Sequence, residues 1–390
     1  MMTVRDRVLS LLKGAKPDRL TWMADLAYFI DYLFDEGLMP EKYLSQEDDH
    51  ETGVNINQGL ARRFNEEGLQ ALHRDLQAGF YLQGYFPFTT HYDGVEITEE
   101  ITQSGRDISR VTTIHTPYGD MSEVWDYIYS THSWGPRIHM VKGLDDLKKI
   151  RYLYENTRYE PDYDLALTRY SSVGNNGVVL CYIPKCPIME MIALRAGIET
   201  TTYMIMDDED EWVYTLAVME EKINEACRLV INSPAECIMS PDNLSSESIG
   251  LSFYKRYGKP FHEKWCGQIR EKGKFSFVHL DGTINPLITQ LSDAGFDVIE
   301  ALTPKPVGDI TFQEIRPLVR PETVLWGGIP GGFFTNNVSD ETFDAYVITL
   351  INEMKSDGRS VLAVGDQVVP GSSFERVSRV AELVEQCGYL

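Results

Sequence analysis

Residues 275–286 read "FSFVHLDGTINP", a run in which an apolar strand pattern ends in a histidine and, two places on, an aspartate. His279 and Asp281 therefore stand at the carboxyl end of a predicted strand. An imidazole and a carboxylate are ligands that Zn²⁺ and similar divalent ions take. The same two groups can exchange a proton, so a metal centre and an acid–base pair are the two chemistries open to them.

Two other predicted strands in the C-terminal half end in the same kind of residue. The segment "FDVIEAL" carries Glu300, and "SVLAVGDQ" ends in Asp366. Because the carboxyl ends of barrel strands share one mouth, we expect His279, Asp281, Glu300 and Asp366 to converge as the ligands of one metal ion. A simpler alternative for Asp281, which precedes Gly282-Thr283, is that it caps the following helix.

Earlier strands end in further polar residues. The short strand candidate "LTWM" is followed by Asp25, "VVLCYIP" contains Tyr182, and "AECIMSPDN" ends in Asp242 and Asn243. We expect these four residues to orient a substrate or to transfer protons. The glycine loop 327–332, "GGIPGG", is a weaker candidate for phosphate binding through backbone N–H groups, since it contains no Lys or Arg.

The elements that would position these side chains follow a regular rhythm after about residue 174. Apolar runs of four to six residues, typical of parallel strands buried on both faces, alternate with amphipathic helices. Five such units, with "VVLCYI" and "LTWM" before them, predict one (β/α)8 TIM barrel over residues 1–390, with an N-terminal extension. A doubly wound open sheet competes, but no GxGxxG turn follows the first strand.

The segment 79–135 departs from that rhythm. It is rich in aromatic residues, and short alternating runs such as "GVEITEE" and "SRVTTIHTPYG" are separated by turn residues. We expect it to form a β-rich insertion or cap on the barrel.

The composition limits the classes of partner. The chain has 43% hydrophobic and 24% charged residues, as globular proteins do, and a net charge of −23, which disfavours binding to nucleic acid or to anionic membranes. The six cysteines form no CxxC pair, and there is no signal-peptide core and no apolar run that would span a membrane. We therefore expect a cytoplasmic protein with free thiols. His50, His73 and His262 lie in stretches rich in charged residues, and we expect them to be solvated.

Four stretches resemble the uroporphyrinogen decarboxylase superfamily: "KGAKPDRLTW", "HLDGTINPLITQLSDAGFDVIEAL", "GGIPG" and "GDQVVPGSSFERV". The likeness is densest over residues 234–387, and it implies a (β/α)8 barrel. The nearest branches look like the corrinoid-dependent methyltransferases. In the coenzyme M methyltransferases of this superfamily, zinc is held by a His-x-Cys pair and a second Cys. The pair matches His279 and Asp281 here, and the second Cys matches Asp366. Glu300 falls near a further acidic position of the family that can complete the zinc site. The resemblance implies a divalent metal, Zn²⁺ first, with Mn²⁺ or Fe²⁺ more competitive at oxygen-rich ligands.

The resemblance also orders the candidate functions. The decarboxylase itself is disfavoured, because Asp25, Asp31 and Asp35 occupy the region of its arginine-rich motif. The preferred function is a methyltransferase of anaerobic O-demethylation, which moves a methyl group from a small methoxylated, aromatic donor to a corrinoid protein that supplies the corrinoid. The alternative is a decarboxylase or lyase acting on a small carboxylic acid, with Asp25 or Asp242 as general acid. A metal-free scaffold barrel remains open, as does assembly into a homodimer.

Overall fold

The computed structural model describes residues 2–44, 66–81 and 85–390, and a curled parallel sheet dominates it. Seven of its strands follow one another in the order Trp22–Met23, Ser360–Gly365, Val324–Pro330, Val298–Leu302, Phe275–Leu280, Cys237–Leu244 and Leu180–Tyr182. All of the pairings between them are parallel, as the apolar runs predict.

The two edges of this sheet are joined through residues 79–80. Gly79 pairs in parallel with Met23, and Phe80 pairs in parallel with Gly177, just before the strand Leu180–Tyr182. The Gly79 amide donates to the Trp22 carbonyl over 2.9 Å, and the Phe80 amide donates to the Asn176 carbonyl over 2.9 Å. This short segment is the second of eight strands and closes the predicted (β/α)8 barrel.

The strands bury both of their faces, because successive side chains point to opposite sides of a strand. One set of residues fills the interior of the barrel, with at least one member from each strand, among them Met23, Tyr81, Leu180, Met239, Phe277, Val298, Trp326 and Ala363. Their neighbours in sequence, such as Val179, Ile238 and Ile299, belong to the larger core between the strands and the outer helices.

The outer layer is helical. Several helices begin at a side chain that accepts a hydrogen bond from a backbone amide of the first turn, as Asp208, Ser339 and Ser373 do. The principal helices of the described ranges are Val4–Leu12, Ala27–Asp35, Glu66–Asp75, Leu144–Glu155, Asp164–Val173, Gly197–Asp207, Glu209–Asn232, Lys259–Glu271, Leu287–Ala294, Phe312–Ile315, Asp340–Asp357 and Phe374–Cys387.

The first helix, Val4–Leu12, covers the amino-terminal end of the barrel. Its residues Val8 and Leu11 pack into the barrel interior. Arg359, next to the start of the eighth strand, donates to the Leu11 carbonyl over 2.7 Å. With this end covered, the carboxyl ends of the strands form the accessible mouth.

Two small antiparallel sheets lie between the second and third barrel strands. One consists of Glu96–Ser104, Asp107–His115, Met121–Ile128 and Ser133–Ile138, and the other pairs Phe88–Tyr92 with Thr157–Pro161. The larger sheet contacts the helix Ala27–Asp35, where Tyr127 and His132 hydrogen-bond to Asp35. Residues 79–81, which the sequence analysis assigns to this insertion, belong to the barrel instead, because a two-residue pairing carries no periodicity of its own.

Burial corrects one further expectation. His73 and His262 are 0% and 1% exposed rather than solvated, while His50 lies outside the described residues. All six cysteines are free thiols, and five of them are buried. No helix in the described ranges is both long enough and apolar enough to cross a lipid bilayer.

Candidate metal centre at the barrel mouth

The fifth and eighth strands bring three of the predicted ligands together. His279 lies at the end of Phe275–Leu280, Asp281 follows it by two residues, and Asp366 follows Ser360–Gly365 directly. One ligand atom from each of the three lies within 4.8 Å of the others. Asp366 thus joins two residues that precede it by 85 or more positions in sequence, as expected when the strands share one mouth.

Glu300 occupies a different place from its predicted one. It stands beside His279 in the register of the fifth and sixth strands, and its Oε2 accepts a hydrogen bond from His279 Nδ1 over 2.8 Å. Its Oε1 accepts from the Tyr81 hydroxyl over 2.7 Å. Both oxygens of this fully buried carboxylate are engaged, so the geometry gives Glu300 an orienting role behind the imidazole.

The backbone after Glu300 is irregular. Ala301 adopts a φ of +65°, and the register between the sixth and seventh strands shifts between Ile299 and Leu302. A bulge of this kind re-aims side chains and is common beside functional sites. Here it coincides with the point where Glu300 reaches His279.

The electrostatics of the cluster favour a positive charge. Burial opposes protonation of His279, but the carboxylates of Glu300, Asp366 and Asp281 outweigh it and raise the pKa of His279 to about 10. Burial raises the pKa of Asp366 to about 6, against the attraction of His279. Several carboxylates in a confined space are therefore balanced by a single imidazolium. In such a cluster a divalent ion would replace the proton on the imidazole.

The donor set fits such an ion. Asp366 Oδ1 is buried without a hydrogen-bond partner among the described atoms, and it lies 3.4 Å from His279 Nε2. Metal–ligand bonds of about 2.0–2.2 Å at tetrahedral angles place two ligand atoms roughly 3.3–3.6 Å apart. Because Nδ1 donates to Glu300, Nε2 is the imidazole nitrogen left to bind, which is the usual carboxylate–histidine–metal arrangement.

Asp25 lies at the same end of the barrel. Its Oδ1 accepts from the Ala27 amide over 2.9 Å, and only 4% of the residue is exposed. Burial, reinforced by the charges of Asp366 and Glu300, raises the pKa of Asp25 well above its usual range. Asp25 is therefore a buried carboxyl group at the mouth, in surroundings that favour its protonated form.

Asp242 belongs to a second, fully buried cluster with Cys186 and His262. Its Oδ2 accepts from His262 Nε2 over 2.6 Å and from Ser240 Oγ over 3.0 Å, and its Oδ1 accepts from the Cys186 amide over 2.8 Å. His262 Nδ1 contacts the Tyr254 hydroxyl at 3.0 Å. Although burial opposes ionisation, the hydrogen bond to His262 keeps the pKa of Asp242 below its usual value. These polar atoms already have partners, so the network is suited to holding the fourth strand and not to general acid catalysis.

Asn243 and Tyr182 lie at neighbouring strand ends. Asn243 adopts a φ of +53°, and its Oδ1 accepts from the Lys185 ammonium over 3.1 Å. The half-buried Tyr182 ring packs edge-on against Phe86 with centroids 5.6 Å apart. Asn243 thus contacts the Lys185 ammonium, and Tyr182 contacts the Phe86 ring.

Three functional candidates are absent from the sequence prediction. Tyr81 lies on a strand too short to recognise from the sequence. His262 lies on a helix whose many charged residues suggest an exposed position. Lys185 directly follows the run "VVLCYIP". A search for polar residues just beyond each predicted strand would therefore have found it. Burial lowers the pKa of Lys185, against the nearby carboxylates of Asp242 and Glu190.

The glycine loop does not form a phosphate cradle. Gly327 and Gly328 lie inside the seventh strand, and a Cβ on Gly327 would stand 2.5 Å from the Leu302 carbonyl oxygen. At Gly331 an added Cβ would stand 2.2 Å from the Gln367 carbonyl oxygen. Gly327 and Gly331 therefore permit close packing of backbone on backbone.

Fold and site together define a (β/α)8-barrel protein with a His–Asp–Asp cluster at the mouth. The family model of uroporphyrinogen decarboxylase (URO-D) matches residues 133–387, and the chain belongs to this family. A methyltransferase from Methanosarcina mazei has a similar structure, with a TM-score of 0.63 and 13% sequence identity over 99% of both chains. A protein described as a vitamin-B12-independent methionine synthase, from Listeria monocytogenes, matches with a TM-score of 0.40 and 12% identity over 95% of this chain and 96% of its own. At such identities the likeness is one of fold. No curated protein matches the chain.

Proposed function

We propose that this protein is a metal-dependent methyltransferase that moves a methyl group from a small methoxylated, aromatic donor to a corrinoid protein. The observation that carries the proposal is the cluster of His279, Asp281 and Asp366, in which a buried carboxylate oxygen without a hydrogen-bond partner lies at ligand distance from a correctly oriented imidazole. The metal is a divalent ion, Zn²⁺ first.

The reaction needs help because an ether oxygen is a poor leaving group. A divalent ion held by His279, Asp281 and Asp366 would supply Lewis acidity toward that oxygen. Glu300 holds His279 with Nε2 directed at the cluster, and Tyr81 fixes Glu300. Asp25, whose raised pKa favours its protonated form, can donate a proton to the departing oxygen.

The methyl acceptor in this proposal is the corrinoid of a partner protein. The described ranges consist of the barrel and its two small sheets, with no separate domain that would enclose a corrinoid. One sequence segment, "DDHETG" at residues 48–53, has the D-x-H-x-x-G spacing of cobalamin-binding segments, and it lies outside the described residues. Free cob(I)alamin can replace the partner in an assay, whichever chain carries the corrinoid in the cell.

The test combines metal analysis with methyl transfer. The wild type, His279→Ala and Asp366→Ala are purified in parallel, with Asp293→Ala, an exposed helical position, as control. We expect about one metal ion per chain in the wild type and control, and loss of metal from both site variants. We then expect only the wild type and the control to transfer a methyl group from methoxylated aromatics to cob(I)alamin. The absorbance change of the corrinoid measures this transfer.

Two results would contradict the proposal. If the wild type binds no Zn²⁺, Mn²⁺ or Fe²⁺ after incubation with each, the Lewis-acid role fails. If metal binds but no methoxylated compound methylates cob(I)alamin, the cluster is a metal site of another reaction.

A second candidate is decarboxylation of a small carboxylic acid, favoured by the raised pKa of the buried Asp25 at the mouth of a chain in the URO-D family. Asp242 does not serve as the acid here, because His262 keeps it ionised. A large polyacid is a poor substrate, since the carboxylates of Asp281, Glu300 and Asp366 surround His279 at this mouth. Release of CO₂ from a carboxylic acid substrate, lost in Asp25→Asn and independent of metal, would favour this candidate over methyl transfer.

A further inference from the structure

A cavity of about 200 Å³ lies beside the barrel mouth, between the strand pair Phe88–Tyr92 and Thr157–Pro161 and the helical layer. Its walls are largely aromatic, with contributions from Phe86, Phe88, Tyr92, Tyr154 and Tyr159. A cavity of about 150 Å³ lined by apolar side chains accepts benzene in another protein. The size and lining therefore suit one substituted aromatic ring, which such walls contact in stacked or edge-on geometry.

A charged pair lines one side of the cavity. Tyr154 donates to Glu190 Oε1 over 2.9 Å, and Arg195 Nε donates to the same oxygen over 3.0 Å. One Nη of Arg195 also lies 3.0 Å from that oxygen. The other Nη has no partner among the described residues, so part of the guanidinium remains available to a ligand. Glu190 and Arg195 bound a π-helical turn, a distortion that is frequent at functional sites.

The cavity reaches the carboxyl end of the third strand, at the same end of the barrel as the proposed reaction site. Phe86 of its wall contacts both Phe88 and the strand-end residue Tyr182. Pro184 also lines it, and the next residue, Lys185, bonds to Asn243 at the mouth. The charges of Glu190 in the cavity and of Asp281 in the metal cluster both act on the Lys185 ammonium.

We propose that this cavity binds the ring of a small aromatic carboxylate, whose acid group pairs with Arg195. The inference rests on the proposed function and narrows its donor to a methoxylated aromatic acid, as opposed to a neutral methyl ether. Arginine is suited to the task because its planar fork can bind Glu190 on one edge and a second carboxylate on another.

The test is a direct binding measurement by calorimetry, with 4-methoxybenzoate and its neutral analogue methoxybenzene as probes. Thr90 lines the cavity from an exposed position on Phe88–Tyr92, so Thr90→Trp fills the cavity with little risk to folding. Thr89→Trp is the matched control, because Thr89 is exposed on the opposite face of the same strand, where it contacts His91. Arg195→Gln and Arg195→Lys test the acid group.

We expect 4-methoxybenzoate to bind about tenfold or more tightly than methoxybenzene, since a charge-assisted hydrogen bond separates them. Thr90→Trp should weaken its binding at least tenfold, and Thr89→Trp should leave it unchanged. Arg195→Gln should abolish the preference for the acid, and Arg195→Lys should restore part of it. Equal binding of the two probes, or undiminished binding in Thr90→Trp, would overturn the inference.

Methyl transfer separates this inference from the proposed function. Binding with the expected pattern, but without methylation of cob(I)alamin, would support the cavity and contradict the methyltransferase. Methyl transfer from 4-methoxybenzoate at the wild-type rate in Thr90→Trp would support the methyltransferase and contradict the cavity.

Discussion

At the scale of single residues, the properties of His279 depend on the group behind it. A histidine hydrogen-bonded to a carboxylate through Nδ1 presents Nε2 in a fixed direction and is a more basic ligand. Glu300 provides that carboxylate from the neighbouring strand, and Tyr81 holds it from the opposite side of the barrel interior. The metal affinity of the cluster should therefore depend on Glu300 even though Glu300 does not bind the ion.

Glu300→Gln tests this dependence. The amide keeps the shape of the side chain but removes the charge, so we expect the affinity for Zn²⁺ to fall roughly 10- to 100-fold. Competition with a chromophoric chelator measures the affinity, and Glu271→Gln, at an exposed helix end, is the control. If Glu300 were itself a ligand, the loss would match that of Asp366→Ala; an unchanged affinity would contradict any contribution of Glu300.

At the scale of elements, the sixth and seventh strands pack so closely that one position excludes any side chain. Gly327 has a φ of +142°, and a Cβ there would lie 2.5 Å from the oxygen and 2.6 Å from the nitrogen of Leu302. Leu302 ends the bulge that begins after Ile299 and contains Glu300. The glycine therefore supports the irregular strand on which the orienting carboxylate stands.

Gly327→Ala should consequently destabilise the protein by roughly 2–4 kcal/mol, since it combines an overpacked contact with an unfavourable φ. Gly332→Ala is the matched control within the same glycine run, because nothing lies within 4 Å of an added Cβ there. We expect the control to change the free energy of unfolding in urea by less than about 0.5 kcal/mol. Equal effects of the two substitutions would show that the close packing at Leu302 is not limiting.

At the scale of the whole molecule, closure of the barrel depends on residues 79–81 and on the helix before them. His73 on that helix is fully buried, hydrogen-bonds through Nδ1 to the Ala78 carbonyl at 3.4 Å, and packs against the Phe80 ring. Burial lowers the pKa of His73 to about 4. Over the pH range between its folded and unfolded pKa values, the imidazole is therefore neutral in the folded protein but protonated in the unfolded chain.

This difference predicts a loss of stability in mild acid. Because the folded pKa of about 4 lies below the unfolded value, the unfolded chain binds more protons between about pH 6.5 and 4, and stability falls as the pH falls through that window. At pH 5 the contribution is about 2 kcal/mol, which His73→Leu should remove from the pH dependence measured by urea unfolding. His91→Leu, at a partly exposed strand position, should retain the wild-type slope; a slope unchanged in His73→Leu would contradict the assignment.

The sequence by itself determined the helices, most strands and the strand ends that carry chemistry. Helix Val4–Leu12 and the strand that ends at His279 follow from local periodicity, because the spacing of apolar residues encodes which faces are buried. Since carboxyl ends of parallel strands share one mouth, the approach of His279, Asp281 and Asp366 was also predictable.

The tertiary structure alone decided how the barrel closes and which partners the buried polar groups take. A pairing as short as that of Gly79 and Phe80 has no periodicity from which to predict it. Tyr81 and Glu300 meet across 219 positions of sequence, and His262 and Asp242 across 20. Such contacts depend on strand register and on a bulge that shifts it, which are properties of the assembled sheet and not of any local segment.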